Sequence, residues 1–138
     1  MEKHQADHGY LYRALAAWLM VVAVEFAHGV LRTLYLIPLV GALRSRQIGV
    51  FTGSLLILIV ALVTIRYVAP PSRKAAIFVG LLWTVLMVAF ELSFGRLLGR
   101  PMAELLSDYD VRAGGFLAFG MVVLGMAPWI AMRVRGRG

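Results

Sequence analysis

The stretch that decides the fold is VVAVEFAHGVLRTLYLIPLV, residues 21–40, which is apolar apart from a few polar side chains. A helix needs about 20 consecutive apolar residues to cross the hydrocarbon core of a membrane, which is about 30 Å thick. This stretch has that length, but Glu25, His28 and Arg32 interrupt it. Any account of the fold must therefore explain how a membrane tolerates three ionisable groups on one helix.

The composition of the whole chain is that of a membrane protein. Of its 138 residues, 61% are hydrophobic and only 15% are charged, whereas soluble domains carry about 25% charged residues. The connecting loops are too short to form a soluble domain, so residues 1–138 are predicted to be a single all-α domain, a four-transmembrane-helix bundle. The predicted spans are residues 14–35, 48–69, 75–95 and 114–132.

Two segments between the spans carry further signals. RPMAELLSDYD, residues 100–110, is predicted to form a short external interfacial helix before the fourth span, with Leu105 and Leu106 in the interface and the acidic residues in water. PLVGALRSR, residues 38–46, is either a weaker counterpart of that helix or an extension of the first span beyond a proline bend. The linker APPSRK, residues 69–74, is predicted to end the second helix at its prolines.

The basic residues lie mainly at one set of helix ends. Eight lie on the side of the chain termini: Lys3, Arg13, Arg66, Arg73, Lys74, Arg133, Arg135 and Arg137. Five lie on the opposite side: Arg44, Arg46, Arg96, Arg100 and Arg112. Because the cytoplasmic side carries the excess of Lys and Arg, we expect a multi-pass protein of the bacterial inner (cytoplasmic) membrane with both termini cytoplasmic. The same placement, without any nucleic-acid-binding motif, argues against nucleic acid as a partner despite a net charge of +7.

The two halves of the chain resemble each other. The first half contains, in order, Glu25, Gly29, Pro38, Gly49 and Phe51. The second half contains Glu91, Gly95, Pro101, Gly114 and Phe116, at offsets between 63 (101 − 38) and 66 (91 − 25). We interpret residues 10–69 and 75–135 as two parallel-repeat helical hairpins, related by an axis along the membrane normal. A chance similarity between glycine-rich helices is the alternative.

Two other patterns predict packing and anchoring. GVFTG, residues 49–53, is a Gly-x-x-x-Gly motif, which lets helix backbones approach closely in lipid. Most of the tyrosines and tryptophans fall toward span ends, where anchoring at the membrane interface is the usual role. These expected anchors are Tyr10, Tyr12, Trp18, Trp83 and Trp129.

The ionisable residues of the first span share one helical face. Glu25, His28 and Arg32 are spaced i, i+3 and i+7. Counted from the basic residues at the cytoplasmic ends, they lie about 18, 22 and 28 Å into the membrane, and Glu91 of the third span lies about 25 Å in. All four therefore fall in the middle or outer half of the membrane and can form one group.

A charged residue at the membrane centre costs about 2.5–3.5 kcal/mol on insertion scales, so this group is expected to face the bundle interior or a water-filled cavity. We predict an ion pair between Arg32 and Glu91, with His28 beside it and Glu25 below. The predicted binding residues are Glu25, His28, Arg32 and Glu91. The alternative is that the ion pair only fixes which helices are neighbours and that Glu25 is a protonated carboxyl hydrogen-bonded within the bundle.

No cofactor, metal site or catalytic residue is predicted. The chain has no cysteine, which excludes thiolate chemistry and cysteine-ligated metals. EFAH, residues 25–28, matches half of a carboxylate-bridged di-metal site, but the corresponding ELSF has Phe94 where the second histidine is needed. No nucleophile motif is present, so an enzyme is the least favoured class.

Three segments resemble a known family. HGVLR (residues 28–32) followed by Pro38, FELSFGR (residues 90–96) and LLSDYD (residues 105–110) are similar to the corresponding segments of an uncharacterised family of small bacterial integral membrane proteins with four spans. The resemblance covers most of the chain and implies a four-span fold, but no activity. That family tends to have asparagine in place of His28, so it supports Arg32 and Glu91 more than the histidine.

Two functional interpretations follow. The first is ion, proton or small-solute transport through an outward-facing polar cavity, which would require a homo-oligomer or a conformational switch because four helices enclose little volume. The second is a non-catalytic accessory or assembly subunit that docks other membrane proteins. Both place the chain in the lipid bilayer with a second copy or another membrane protein as partner.

Overall fold

Four long helices make up the structure, and each has the length and apolar composition needed to cross a membrane. The computed structural model describes the backbone of residues 2–136 and the side chains of residues 9–135. The spans are Gly9–Val40, Ala42–Val68, Arg73–Leu97 and Leu117–Arg135. No strand occurs within residues 2–136. The predicted all-α, four-transmembrane-helix bundle of a multi-pass membrane protein is confirmed.

The first span contains two helices joined without a break. Helix α1 (Glu2–Leu31) runs into a π-helical turn (Arg32–Leu36), which is followed by the short α2 (Ile37–Val40). The wider turn precedes Pro38, which has no amide hydrogen to continue the α-helical pattern; here Ile37 N–H donates to the Arg32 carbonyl, five residues back. PLVGALRSR is thus not an interfacial helix, because its first residues complete the first span.

The first two spans are joined by a single residue. Gly41 lies between α2 and α3 (Ala42–Val68) with φ of 88°, a conformation that favours glycine. At the other end of α3, the helix ends at Val68, immediately before the predicted linker. Helix α4 (Arg73–Leu97) begins after Ser72, whose side chain accepts a hydrogen bond of 3.1 Å from the Ala75 amide.

The predicted short helix before the fourth span is confirmed as α5 (Met102–Ser107), and a 3-10 turn (Val111–Ala113) follows it. Leu106 is exposed, as predicted, but Leu105 is buried. Leu105 packs against Gly95 of α4, where an added Cβ atom would overlap the leucine Cδ2. Helix α6 (Leu117–Ala131) begins after the predicted start of the span because Gly114 adopts a positive φ of 83°. A π-helical turn (Met132–Gly136) extends α6.

Both ends of the described chain lie at one end of the bundle, which we call the proximal end. The Arg13 side chain donates to the Val68 carbonyl (3.2 Å), and the Arg135 side chain donates to the Leu62 carbonyl (2.7 Å). The opposite end, which carries Gly41 and residues 98–116, is the distal end. Lys3 and Arg137, which contributed to the predicted orientation, lie outside the residues whose side chains are described.

The four spans are not packed equally. The second span packs against the first and the fourth, and the fourth packs against the third, whereas the first and third spans contact each other much less than these three pairs do. In the proximal half, the first and third spans are joined by Trp83, whose indole N–H donates to the Ala14 carbonyl (2.9 Å). Trp83 is only 1% exposed, so its predicted role as an interfacial anchor is wrong. Large apolar side chains such as Leu55, Val63 and Val85 cover the outside of the bundle.

Helices α4 and α6 cross in backbone contact. A Cβ atom placed on Gly80 would lie 1.8 Å from the Gly125 carbonyl oxygen. The backbones of the third and fourth spans therefore touch at these two glycines, as is common where small residues meet in membrane helices. The sequence analysis did not single out either glycine, because they lie on different helices and form no local motif.

We expect Gly80→Ala to destabilise the protein. The new methyl group overlaps backbone, which cannot rotate away, so overpacking costs about 1–3 kcal/mol or more, against a helix-propensity gain of about 1 kcal/mol. Unfolding by a denaturing detergent, followed by tryptophan fluorescence, measures the change. Gly29→Ala is the matched control, because a Cβ atom there meets nothing within 4 Å. Equal stability of the Gly80 variant and the wild type would contradict the crossing.

Candidate functional site

The four predicted binding residues line one cavity. It lies in the distal half of the bundle, where the first and third spans separate, and has a volume of about 640 Å³. This volume falls within the range of about 300–1,000 Å³ typical of small-molecule sites. Glu25, His28 and Arg32 enter it from the first span and Glu91 from the third, so the grouping predicted from helical spacing and depth agrees with the structure. Their binding role remains a prediction.

Most of the cavity wall is apolar. All four spans and the distal segment contribute to it, because α5 and the turn after it fold over the distal end. The apolar wall includes Val22, Phe26, Val30, Leu34, Val50, Ile57, Met87, Phe90, Phe94, Leu98, Leu105, Phe116, Leu117, Met121 and Leu124. Polar groups are few and localised, which is the usual composition of a ligand cavity.

The predicted ion pair between Arg32 and Glu91 is not formed. Arg32 Nη1 donates to the Ser45 hydroxyl (3.2 Å), and no carboxylate lies within ion-pair distance of Arg32 among the described residues. Glu91 instead accepts a hydrogen bond of 3.0 Å from the Tyr109 hydroxyl. The π-helical turn carries Arg32 toward the start of α3, and the segment after α5 places Tyr109 above Glu91. Each group therefore has a neutral hydrogen-bond partner instead of an opposite charge.

Tyr109 was not predicted to be a site residue, because it belongs to the external segment RPMAELLSDYD. It lies outside the spans, half-buried at the cavity. Burial, together with the negative charge of Glu91 and the hydrogen bond to it, raises the pKa of Tyr109 above its ordinary value. The phenol therefore stays protonated at neutral pH and can donate to Glu91.

The Gly-x-x-x-Gly motif makes room for side chains of the first span. A Cβ atom on Gly49 would lie 2.7 Å from Arg32 Cδ, and one on Gly53 would lie 2.8 Å from Glu25 Oε1. The predicted close approach of two backbones at this motif is therefore wrong. Instead, each glycine removes the side chain that would prevent Arg32 or Glu25 from lying against the second span.

Glu25, His28 and Thr52 form a connected polar group. The Thr52 hydroxyl lies 2.6 Å from His28 Nε2, and His28 Nδ1 lies 3.9 Å from Glu25 Oε1. The hydroxyl can donate to the Ile48 carbonyl, 3.4 Å away. In the neutral tautomer that donates from Nε2 to Thr52, Nδ1 is a proton acceptor facing the carboxyl group. Glu25 Oε2 is buried and has no hydrogen-bond partner among the described residues.

A second charged group surrounds the cavity mouth at the distal end. Asp108 lies between two arginines, with Oδ1 3.6 Å from Arg46 Nε and Oδ2 3.1 Å from Arg100 Nη2. Arg100 also donates to the exposed Glu104 (2.9 Å). The Asp108 side chain is only 15% exposed, so the prediction that it faces water is wrong. Arg46, Arg100 and Asp108 all line the cavity.

These mouth residues could not be assigned from the sequence. Their charges were visible near the ends of spans, but helical periodicity does not say which loop residues turn inward.

No group of three or more His, Asp or Glu side chains within the described residues is arranged to hold a metal ion.

Comparison with protein-family models, with curated proteins and with solved structures finds no match for this chain. The resemblance to a family of four-span proteins therefore remains a prediction.

We expect the Tyr109–Glu91 hydrogen bond to stabilise the protein measurably. In a double-mutant cycle of Tyr109→Phe and Glu91→Ala, the coupling energy should be about 1–2 kcal/mol, because each change removes one partner of a hydrogen bond to a buried carboxyl group. Detergent-induced unfolding of the four proteins gives this value. Tyr35→Phe in a parallel cycle with Glu91→Ala is the control, since Tyr35 is 68% exposed. Equal coupling energies in the two cycles would contradict the contact.

Proposed function

We propose that the protein transports a small solute across the membrane, coupled to a proton or another cation, through the cavity between the first and third spans. The observation that carries this proposal is Glu25, a carboxyl group that lines the cavity inside the membrane and has an oxygen without a hydrogen-bond partner in the described part of the chain. Such intramembrane groups commonly mark ion or substrate pathways.

The cost of placing a carboxylate inside the membrane supports a role in which Glu25 binds and releases a proton or cation. A carboxylate inside the membrane costs about 2.5–3.5 kcal/mol on insertion scales, and a purely structural group would recover this through permanent partners. Among the described residues, His28, at 3.9 Å, is the one basic side chain within ion-pair distance of Glu25. A bound proton or cation can supply the missing compensation, and its release returns the carboxyl group to the charged state. Glu25 thus suits a site that binds and releases a proton or another cation in turn.

The His28 ring offers a route for the proton. Its Nδ1 faces Glu25 and its Nε2 contacts the Thr52 hydroxyl. When Nδ1 is unprotonated, it can accept a proton from the Glu25 carboxyl group or from water in the cavity, and it can return that proton later. The carboxyl group and the imidazole can therefore share one proton without leaving two buried charges of the same sign.

The direction in which the cavity opens follows from the proposed orientation. The excess of basic residues at the proximal end favours a cytoplasmic location for that end, which places the cavity mouth on the outer side of a bacterial inner membrane. The proximal half is filled by Trp83, Val68, Val79 and Ala14, all buried. A path to the cytoplasm therefore requires a rearrangement of the spans or a second copy of the chain.

Proton movement in vesicles tests the proposal. Purified protein is reconstituted into vesicles that enclose a pH-sensitive dye, and a potassium diffusion potential drives proton entry with and without a panel of small organic ions. We expect wild-type protein to carry protons and Glu25→Gln to fall to the level of protein-free vesicles, because the amide holds no exchangeable proton. Asp110→Asn is the matched control, since that carboxylate is exposed outside the cavity.

A second variant keeps the carboxyl group and changes only its surroundings. In Gly53→Ala the added methyl group would lie 2.8 Å from Glu25 Oε1, so the carboxyl group must move. We expect reduced but measurable proton flux in the same vesicle assay. If wild-type vesicles are inert and both variants change only assembly or stability, transport is wrong and an accessory role that docks other membrane proteins takes its place.

A further inference from the structure

The cavity has an opening on the side of the bundle. Four of its lining residues, Val30, Leu34, Phe94 and Leu98, have large accessible surfaces, with exposed fractions of 42%, 60%, 37% and 66%, which indicates an opening between them. Val30 and Leu34 belong to the first span, Phe94 belongs to the third, and Leu98 follows the end of the third. These two spans have the least contact of the neighbouring helices. We call this gap the side opening. In a membrane its apolar rim faces acyl chains, so a lipid tail can enter the cavity without passing through water.

The side opening is closed on the proximal side by aromatic contacts. Phe26 of the first span packs edge-to-face against Phe94 of the third, with ring centroids 6.1 Å apart. Nearer the proximal end, Trp18 and Phe90 pack in the same way at 6.3 Å. The opening therefore extends only over the distal half and gives access from one leaflet.

The mouth above the side opening is rich in guanidinium groups. Arg32, Arg46 and Arg100 line it, and Asp108 is the carboxylate that contacts two of them. Within the described part of the chain, the Arg32 guanidinium group makes a single hydrogen bond, to Ser45, although such a group has five N–H donors. Arg46 and Asp108 are the charged neighbours that act on it. Arg32 therefore has donors and positive charge free for an anion, and phosphate matches the planar guanidinium particularly well.

The depth of these groups matches the shape of a lipid. Arg32 lies about 28 Å from the proximal anchors by helical rise, close to the far limit of a hydrocarbon core that is about 30 Å thick. The guanidinium groups are thus at the level of lipid phosphates, and the apolar side opening lies directly below them, at the level of acyl chains. A soluble phosphate would use the mouth but not the apolar wall.

The deeper carboxyl groups restrict where a negative charge can lie. Glu25 and Glu91 line the cavity on the proximal side of the arginines, and they repel an anion that moves further in. A ligand with one anionic end and an apolar remainder fits this separation of charge, whereas a ligand with two anionic ends does not.

We infer that the cavity binds an anionic phospholipid from the distal leaflet, with its phosphate on Arg32, Arg46 and Arg100 and an acyl chain inserted through the side opening. This inference rests on one part of the proposed function, namely that the cavity is a ligand site. It names the chemical class of the ligand that occupies the site.

Binding of three related compounds separates the contributions of head and tail. Titration calorimetry in a non-ionic detergent compares dioctanoyl phosphatidic acid, dioctanoyl glycerol, which lacks the phosphate, and glycerol 3-phosphate, which lacks the tails. We expect saturable binding of the phosphatidic acid. The two fragments should bind at least about tenfold more weakly, because each loses either the charge-assisted hydrogen bonds or the apolar contacts.

Two pairs of variants test the two ends of the site. Arg32→Gln should weaken phosphatidic acid binding about tenfold or more, while Arg44→Gln should leave it unchanged, because Arg44 is exposed and does not line the cavity. Val30→Trp should weaken binding by filling the side opening. Leu55→Trp is its control at a lipid-facing position away from the cavity. Neither tryptophan replaces a buried core residue, and unfolding in a denaturing detergent checks that both variants are as stable as the wild type.

Glycerol 3-phosphate binding as tightly as phosphatidic acid would identify a soluble phosphate ligand and overturn the lipid assignment. Unchanged phosphatidic acid binding in both Arg32→Gln and Val30→Trp would overturn it as well. In either case, proton flux that still depends on Glu25 would leave the proposed transport function standing. Lipid binding that depends on Arg32 and Val30, without any proton flux, would support the site and contradict transport.

Discussion

The distal half of this protein depends on two glycines of the second span. Gly49 and Gly53 remove the side chains that would otherwise occupy the space taken by Arg32 and Glu25. Because these two residues can lie against the second span, the first span keeps its ionisable face inside the bundle and presents Leu19, Leu31 and other apolar residues to lipid. The cavity follows from this arrangement, since side chains directed toward the second span do not fill the gap between the first and third spans.

The charges in the cavity are accommodated by neutral partners. Arg32 bonds to Ser45, and Glu91 accepts from Tyr109. An ion pair between Arg32 and Glu91 would have satisfied both groups permanently, and breaking such a pair leaves an uncompensated charge that costs several kcal/mol. A hydroxyl partner removes part of the desolvation cost while leaving the charge available to a ligand. A permanent ion pair is typical of a structural contact, whereas a charge held by a hydroxyl group remains available to a ligand. The hydroxyl partners of Arg32 and Glu91 therefore favour a binding site.

Sequence reasoning succeeded where one helix decides the answer and failed where two segments must be brought together. Helical spacing placed Glu25, His28 and Arg32 on one face, and counting residues placed Glu91 at a matching depth. The partners of Arg32 and Glu91 depend instead on the turn before Pro38 and on how residues 98–116 fold back, neither of which leaves a periodic signal. Likewise, a Gly-x-x-x-Gly motif does not show whether a backbone or a side chain packs over it. The contact between Gly80 and Gly125 leaves no local motif, because the two glycines belong to different helices.

The two halves of the bundle differ in a way that constrains any mechanism. In the proximal half, Trp83 joins the first and third spans through the Ala14 carbonyl and is itself buried. In the distal half, the same two spans meet at aromatic edges such as Phe26–Phe94, which are worth about 0.5–1.5 kcal/mol each beyond their buried area. Opening the distal gap further therefore costs little, whereas opening the proximal half breaks a buried hydrogen bond and exposes a large aromatic side chain. In the proposed transport cycle, opening the proximal half at Trp83 is therefore the costlier of the two movements, and we expect the resting arrangement to have this half closed.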